Sequence, residues 1–561
     1  MKTNGFCLVL HGHLPWVLHH GFWPHGEVWL YEAVAETWLP LHAELRRCAA
    51  DGVATPITLG LMPVLLEQLA SPAFAPGFRK WLMVQAERAA TDAADFRREH
   101  ELHLAWLAER WARHYGALRD QFDALDGDVV AAFATLAREG RIELLTSNAT
   151  HGYMPLIAHD RCARAQVRAG VATSARHFGF APRGAWLPEC GYRAGGGWTP
   201  PVVHGDVRER IGVEEAFADE GVGYFFVDAH LFAGARSEGI VDGGHTTKVG
   251  WDQTRWDTAR RWRSVLEPHL VSSHGGPGRV TVLARHPEVS EQVWSGAVGY
   301  PGDGRYLEFH KRRNIDGHRY WKVTGSQVDL GAKHAWSPDD TRVAVGEHAR
   351  HFVAVVRSIL TRAAAESGRP GVVVAPFDAE LFGHWWHEGV AWIGEVFRLL
   401  QVDPEVGGAT VGAWLDAHPA DKVVTLPEGS WGEGGDHRVW LNDESRWIWE
   451  ASYRAEDRFL AALDALHWQA SGEVRVALTA AARELLLLQA SDWAFVIHTR
   501  GAVDYGYRRF CEHLARFDRA CTLAERRARG EPDTHLSDVE LEDMLIHDTC
   551  FADLRLEWWL A

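Results

Sequence analysis

Basic charge is what this chain is short of. Its 58 lysines and arginines stand against 75 aspartates and glutamates, a formal balance of −17. Nucleic acid presents phosphates that want a basic face, so the balance argues against a nucleic-acid partner. It argues equally against an anionic membrane surface. A neutral polymer such as a polysaccharide meets no such penalty. Cysteine is also sparse: Cys7, Cys48, Cys162, Cys190, Cys511, Cys521 and Cys550 are scattered, odd in number and without a CxxC pair. That pattern fits a reducing compartment, not a disulfide framework or a structural zinc site. No run approaches the about 18 uninterrupted apolar residues of a membrane span. The start, MKTNGFCLVLHGHLPWV, has no long apolar region followed by a small-residue cleavage site. The chain is therefore expected to be cytoplasmic, with no membrane partner. Tandem repeats and low-complexity tracts are absent too.

What is present is a globular composition with one outlier. Hydrophobic residues make up 47% of 561, ample for a core and for two or three domains. Tryptophan occurs 27 times. Indoles serve cores, and they also stack on the apolar faces of sugar rings; a minority of these are expected to line a groove.

The stretch VVAPFDAELFGHWWHEG (373–389) carries the densest chemistry. Val372 to Ala375 reads as a short buried strand, which Pro376 should end because it has no N–H to donate. Asp378, Glu380, His384, Trp385, Trp386, His387 and Glu388 follow directly. In α/β proteins ligands bind at the carboxyl ends of strands. A helix start capped by Asp378 is the plainer alternative. The same arrangement recurs at RGAWLPECGY (183–192), where a short strand, Gly184 to Leu187, breaks at Pro188 and Glu189 follows in apolar company.

Other strand ends carry polar residues as well. FCLVL (6–10) leads to His11 and His13. As residues two apart they point to opposite faces of an extended chain, so both binding one metal ion would need a bend. Hydrogen bonding to a sugar or a carboxylate is the expected role, and neither metal nor cofactor is expected. Trp23 and Trp29 sit in a loop before a helix around 30–48. PITLG (56–60) is a second strand. Residues 64–139 read as a helical block too long for one barrel helix, hence an insertion. Arg141 to Leu145 runs into a polar segment with His151. Tyr224 to Val227 ends at Asp228. Residues 233–279 show no clear periodicity and read as an irregular functional segment. VTVLA (280–284) leads to Arg285, then Trp294 and a YPGD turn. Seven strands alternating with helices suggest a parallel barrel of seven or eight units. Trp431, Trp440, Trp447 and Trp449 crowd residues 422–450. Beyond them the chain is helical, with 482–495 as its most buried helix, interrupted by Asp492.

Two carboxylates, Glu189 and Asp378, each after a strand, near a tryptophan-lined groove, form the constellation that breaks glycosidic bonds. One would attack the anomeric carbon, and the other would protonate the leaving oxygen and then deprotonate the incoming hydroxyl. His11, His13, His151 and His384 would bind sugar hydroxyls or tune the carboxylates.

HGHLP (11–15), ELLTSNATHGYMPL (143–156), WLPECGY (186–192), APFDAELFGHWW (375–386) and SWGEGGDHRVWLN (430–442) resemble the five motif regions of glycoside hydrolase family 57, its 1,4-α-glucan branching enzymes most of all. QVWSGAVGYPGD (292–303) and ASDWAF (490–495) extend the resemblance to nearly the whole chain. The resemblance implies an α/β fold: an incomplete (β/α)7 barrel over 1–63 and 141–400, a helical insertion over 64–140, and a helical C-terminal domain over 401–561 that contributes to the groove. It implies a retaining mechanism with Glu189 as nucleophile and Asp378 as general acid/base, their oxygens roughly 5–6 Å apart. It places Trp294, Trp431 and Trp440 along the groove, with Asp492 reaching in from the helical domain. Trp23, Trp29 and Arg285 complete the expected substrate contacts. The implied partner is an α-1,4-glucan, and the chain is expected to be a monomer or weak homo-oligomer. Branching enzymes of this family carry a tyrosine on a loop over the site; here no tyrosine occurs between Tyr224 and Tyr300. Trp251 or Trp256 could replace it. The alternatives are an amylase or 4-α-glucanotransferase of the same family, a metal-dependent mannosidase or deacetylase, and a glucan-binding protein without activity.

Overall fold

A computed structural model describes residues 2–203, 205–242, 245–248, 264–274, 278–296 and 298–560. Trp251, Trp256 and Trp262, the last also in the tyrosine-free segment, lie outside the described residues. The fold mixes α and β in its first three quarters and becomes helical from Arg446 onward.

The strand Asn4–Gly12 is central. It pairs in parallel with Val372–Asp378 on one side and with Thr58–Leu61 on the other, and Thr58–Leu61 pairs in parallel with Glu143–Leu145. Phe6 to Leu10 are all within 1% of full burial. Parallel strands covered on both faces read as continuous apolar runs, which is why FCLVL and VVVA are recognisable in the sequence. Beyond Leu145 the pairing continues through single parallel bridges, Thr146 to Ala185 and Gly184 to Tyr224. Tyr224–Val227 then pairs in parallel with Val280–Ala284, and His286 N–H donates to Val374 C=O at 3.2 Å.

Pro376 does not end its strand, contrary to the sequence expectation. The ladder runs through it to Asp378, with Pro376 beside Val9 and Asp378 beside His11. Gly371 C=O accepts from Gly5, whereas Val374 C=O accepts from His286. Even-numbered residues therefore turn away from the first strand, toward a neighbour whose ladder stops at Ala284. The missing N–H of Pro376 costs no ladder bond there, as a proline facing an open edge allows.

Residues 63–138 form four helices, Pro63–Leu69, Phe74–Arg98, Leu102–Ala124 and Val129–Arg138. The two long ones make a hairpin closed by aromatic contacts, Phe78 against Phe122 at 4.9 Å among them. The described parts of the segment 233–279 are more regular than expected: Arg236–Asp242, His245–Lys248 and His269–Val271 are strands. Arg236–Asp242 and His269–Val271 both pair with Lys422–Thr425, a partner too distant in sequence to leave a local period. Val406–Gly408 also joins the first strand in parallel, so sheet pairing continues past residue 401.

The expected helix over 482–495 is two helices, Gly472–Leu488 and Ser491–His498. Ala490 bridges to Gly152, and Ser491 N–H donates to His151 C=O at 3.1 Å. Tertiary pairing here overrides helix propensity, and the break turns Ser491 and Asp492 toward the strand ends. All seven cysteines are free. Among the described residues no helix is long and apolar enough to cross a membrane.

Candidate active site

The site is assembled where strand ends converge. Asp378 is the last residue of its strand and lies in register with His11. Its side chain does not cap the short turn that follows, so the capping alternative fails. Glu189 sits in the turn Pro188–Cys190 with φ 59° and ψ 21°, and Cys190 follows with φ 50°. Left-handed conformations cost non-glycine residues about 1–3 kcal/mol each and persist only where the surroundings impose them. Here Tyr192 and Gly429 exchange backbone hydrogen bonds at 2.8 and 3.0 Å, and Trp431 N–H donates to Glu189 C=O at 3.0 Å. The turn is thus stitched to the 429–431 segment, which aims the carboxylate inward.

Each oxygen of Glu189 has its own donor. Trp431 Nε1–H donates to Oε2 at 2.9 Å and Ser491 Oγ–H to Oε1 at 2.9 Å. Burial pushes its pKa up, with the charge of Asp492 adding, while these two donors pull against the rise. Asp378 is pushed up to about 7, first by burial and then by the charge of Glu189; His13 and Arg285 oppose this. Both acids are pushed up, but only Glu189 has a side-chain donor on each oxygen to favour its ionised form, whereas Asp378 is raised to about 7 and can carry a proton near neutrality. Environments that separate two acids in this way separate nucleophile from acid/base. Glu380, two residues on, is pushed well up by burial and then by Asp378.

Three histidines form a stacked wall. His11 lies on Trp186 at 4.5 Å and His13 on His151 at 3.9 Å between ring centres. Burial, reinforced by neighbouring imidazoles, holds His11 and His151 well below their usual pKa, so both are neutral. Ser491 has one hydroxyl proton, and an ionised Glu189 can only accept it. Ser491 Oγ must then accept from His151 Nδ1 at 2.9 Å, and His151 Nε2 from His11 Nε2 at 3.0 Å. The chain His11–His151–Ser491–Glu189 is polarised toward the carboxylate. His13 Nε2 lies 3.0 and 2.9 Å from the two oxygens of Asp492. Ligand atoms of His13, His151 and Asp492 lie within 4.8 Å of one another, close enough to meet a metal ion. In this arrangement His13 Nε2 is engaged by Asp492 and the two nitrogens of His151 by Ser491 and His11.

Arg285 bonds Asp228 at 2.5 Å and lies over the Trp431 ring at 5.5 Å. Trp294, 42% exposed, stands 6.4 Å from Trp431. Contacts through Trp431, Ser491 and the stacked histidines link these residues and Asp492 to Glu189. Four expected contacts lie elsewhere. Trp440 is 1% exposed and packed on Tyr153 at 4.5 Å, so it is core and offers no face to a groove. His384 turns to Glu36, 2.6 Å from Nδ1. Trp23 and Trp29 line a different cavity. Ser491, Asp228 and Trp186 were not singled out from the sequence; their signals were a place in the ASDWAF segment, at a strand end and at the start of the WLPECGY motif.

Comparisons with known proteins bear on the family and the fold. The profile of glycosyl hydrolase family 57 matches residues 7–316, and that of the 1,4-alpha-glucan branching enzyme C-terminal region matches residues 451–559. A 1,4-alpha-glucan branching enzyme of Thermococcus kodakarensis is 38% identical over 537 residues, 95% of this chain and 76% of that one. The crystal structure of a GH57-type branching enzyme from Pyrococcus horikoshii superposes with a TM-score of 0.89 at 36% identity, covering 100% of this chain and 97% of that one. The alpha-amylase AmyC of Thermotoga maritima superposes with a TM-score of 0.81 at 28% identity, covering 100% and 99%.

Proposed function

The chain belongs to glycosyl hydrolase family 57, and from that premise we propose that Glu189 and Asp378 carry out its α-glucan transfer. The protein is a 1,4-α-glucan branching enzyme: it cleaves α-1,4 links and rejoins the severed chain through α-1,6 links. Glu189 attacks the anomeric carbon while Asp378 gives its proton to the departing glycosidic oxygen. The covalent glycosyl-enzyme is then attacked by a 6-hydroxyl of an acceptor glucan, whose proton Asp378 takes, and the net result is retention. The observation that carries this assignment is the pair of unlike acids: a two-donor carboxylate at 189 beside an acid raised to about 7 at 378. Trp294 and Trp431 supply stacking faces. Nδ1 of His11 and Nδ1 of His13 are buried and have no partner among the described residues.

The seven segments at 4–12, 58–61, 143–146, 184–185, 224–227, 280–286 and 372–378 are read as an incomplete (β/α)7 barrel. Their unbroken series of parallel contacts, returned to its start by His286 and Val374, supports this. The proposed division keeps 1–63 with 141–400 as the barrel and 64–140 as the insertion. The 401–561 region is divided further: 401–428 still joins the sheets, and the helical domain proper starts at Arg446. The scattered free cysteines support a reducing, cytoplasmic compartment, and a monomer or weak homo-oligomer is proposed with it.

The test is linkage analysis of amylose after incubation. New α-1,6 links, counted by debranching, are expected from the wild type, and Glu189→Gln or Asp378→Asn should lower their rate by at least about 10³-fold. An amylase reading is favoured by the likeness to AmyC and by the missing tyrosine between 224 and 300. Reducing ends released without new α-1,6 links would establish it instead.

A further inference from the structure

We propose that a cavity between the helical insertion and residues 312–319 is a second carbohydrate site, one that anchors a stretch of neutral glucan away from the point of cleavage. The inference rests on the glucan-transfer reading for the identity of its ligand. The cavity holds about 880 Å³, within the range of small-molecule sites. Glu189, Asp378, Asp492, His11, His13 and His151 do not line it.

Its wall is charged but balanced. Arg312 pairs with Glu32 at 3.2 Å, Arg319 with Glu36 at 3.0 Å and Arg88 with Asp316 at 2.6 Å. Glu27, which accepts from Tyr31 at 3.1 Å, and Lys80 complete four acids against four bases. His318 is held down to about 4 by burial and adds no charge at neutrality. Such a wall carries no net charge to favour a phosphate or a carboxylate. It offers many oriented donors and acceptors, which a polyhydroxylated neutral molecule can satisfy. Aromatic rings alternate with these groups. Trp23, 52% exposed, and the half-buried Trp29 line it, with Trp81 and Trp111, each 6% exposed, deeper in the wall. Flat indoles beside hydrogen-bonding groups suit the apolar and polar faces of a sugar ring.

Glu36 is displayed by a π turn, Val34–Trp38, that interrupts the helical run from Glu27 to Ala50; single π turns recur at functional sites. Burial raises its pKa, but Arg319, His384 and Arg312 outweigh that and hold it at about 2. It stays ionised and paired, so it has no proton to give for cleavage. The same Glu36 takes His384 Nδ1 at 2.6 Å, and Arg319 donates to His384 C=O at 2.8 Å. His384 lies six residues past Asp378, which places the cavity on the side of the molecule where the strands end. A chain anchored there raises the effective concentration of glucan at the acid/base without a new catalytic group.

The test uses the full-length Glu189→Gln protein, which holds glucan without turning it over, with maltoheptaose as the probe. Hydrogen exchange should slow at residues 77–88 and 312–319 as well as near Trp431 and Ser491, and calorimetry should count two oligosaccharides per chain. Val84 and Lys80 share the cavity-facing stripe of the helix Phe74–Arg98 at i, i+4 spacing. Adding Val84→Trp, or the exposed Lys80→Trp, should remove protection at 77–88 and one of the two oligosaccharides while protection near Trp431 persists. A single oligosaccharide with no slowing at 77–88 in Glu189→Gln overturns the proposal, whether or not either second variant folds. Unchanged stoichiometry in a folded Val84→Trp or Lys80→Trp protein overturns it too. A wild type that forms no α-1,6 links yet shows protection at 77–88 refutes the transfer reading and leaves the cavity a glucan site.

Discussion

Ser491 decides how readily Glu189 gives up its proton. Its hydroxyl is one of two donors on the carboxylate, and it comes from a helix start 302 residues away in sequence. Ser491→Ala removes that donor and leaves Trp431 Nε1 alone on Oε2. A hydrogen bond to a charged group contributes about 1.5–3 kcal/mol, and one pKa unit corresponds to about 1.4 kcal/mol. The nucleophile's pKa should therefore rise by about 1–2 units. The direction follows from charge: the lost donor stabilised the ionised form, so ionisation moves to higher pH. Activity is lost most at acid pH and recovers as pH rises through the new value. The assay is kcat/KM against pH on amylose, with new α-1,6 links as product. The acid limb should move upward by at least about one unit, and Ser491→Thr, which keeps a hydroxyl, should return it most of the way. His151 would lose its Nδ1 acceptor in Ser491→Ala, so a modest fall in stability is expected alongside. An acid limb unmoved in Ser491→Ala, with melting temperature lowered, would show that the serine only supports packing and would refute the reasoning.

Arg285→Met takes away a positive charge that holds Asp378 down; the alkaline limb, expected near pH 7, should shift upward because the acid form then survives to higher pH. The two tryptophans should separate by role. Trp440→Ala empties a core position and should cost about 3–5 kcal/mol, read as a drop in denaturation midpoint. Trp294→Ala, at an exposed position, should raise KM for amylose and leave that midpoint nearly unchanged. Exhaustive chelation should leave the branching rate unaltered, because the two carboxylates supply nucleophile and proton without a metal ion; a rate lost on chelation and restored by zinc would contradict this.

Strand ends were readable in the chain because burial on both faces makes a parallel strand a continuous apolar run, and the first polar residue after it must lie on the exposed edge. Glu189, Asp378 and His11 could be found that way, and the motif resemblance assigned the two acids their roles. The same logic misjudged Pro376: a missing N–H matters only on the side where a neighbour waits, and sidedness depends on which strands close around it. It could not separate Trp440 from Trp294 either, since an indole in a glycine-rich segment is equally suited to a core or to a groove. The break at Gln489 and Ala490, and with it the serine on the nucleophile, arises from pairing with Gly152 and His151. Local periodicity reports that a residue is covered and on which face. Which distant group covers it is settled only when the chain closes, and the protonation states at 189 and 378 depend on those distant groups.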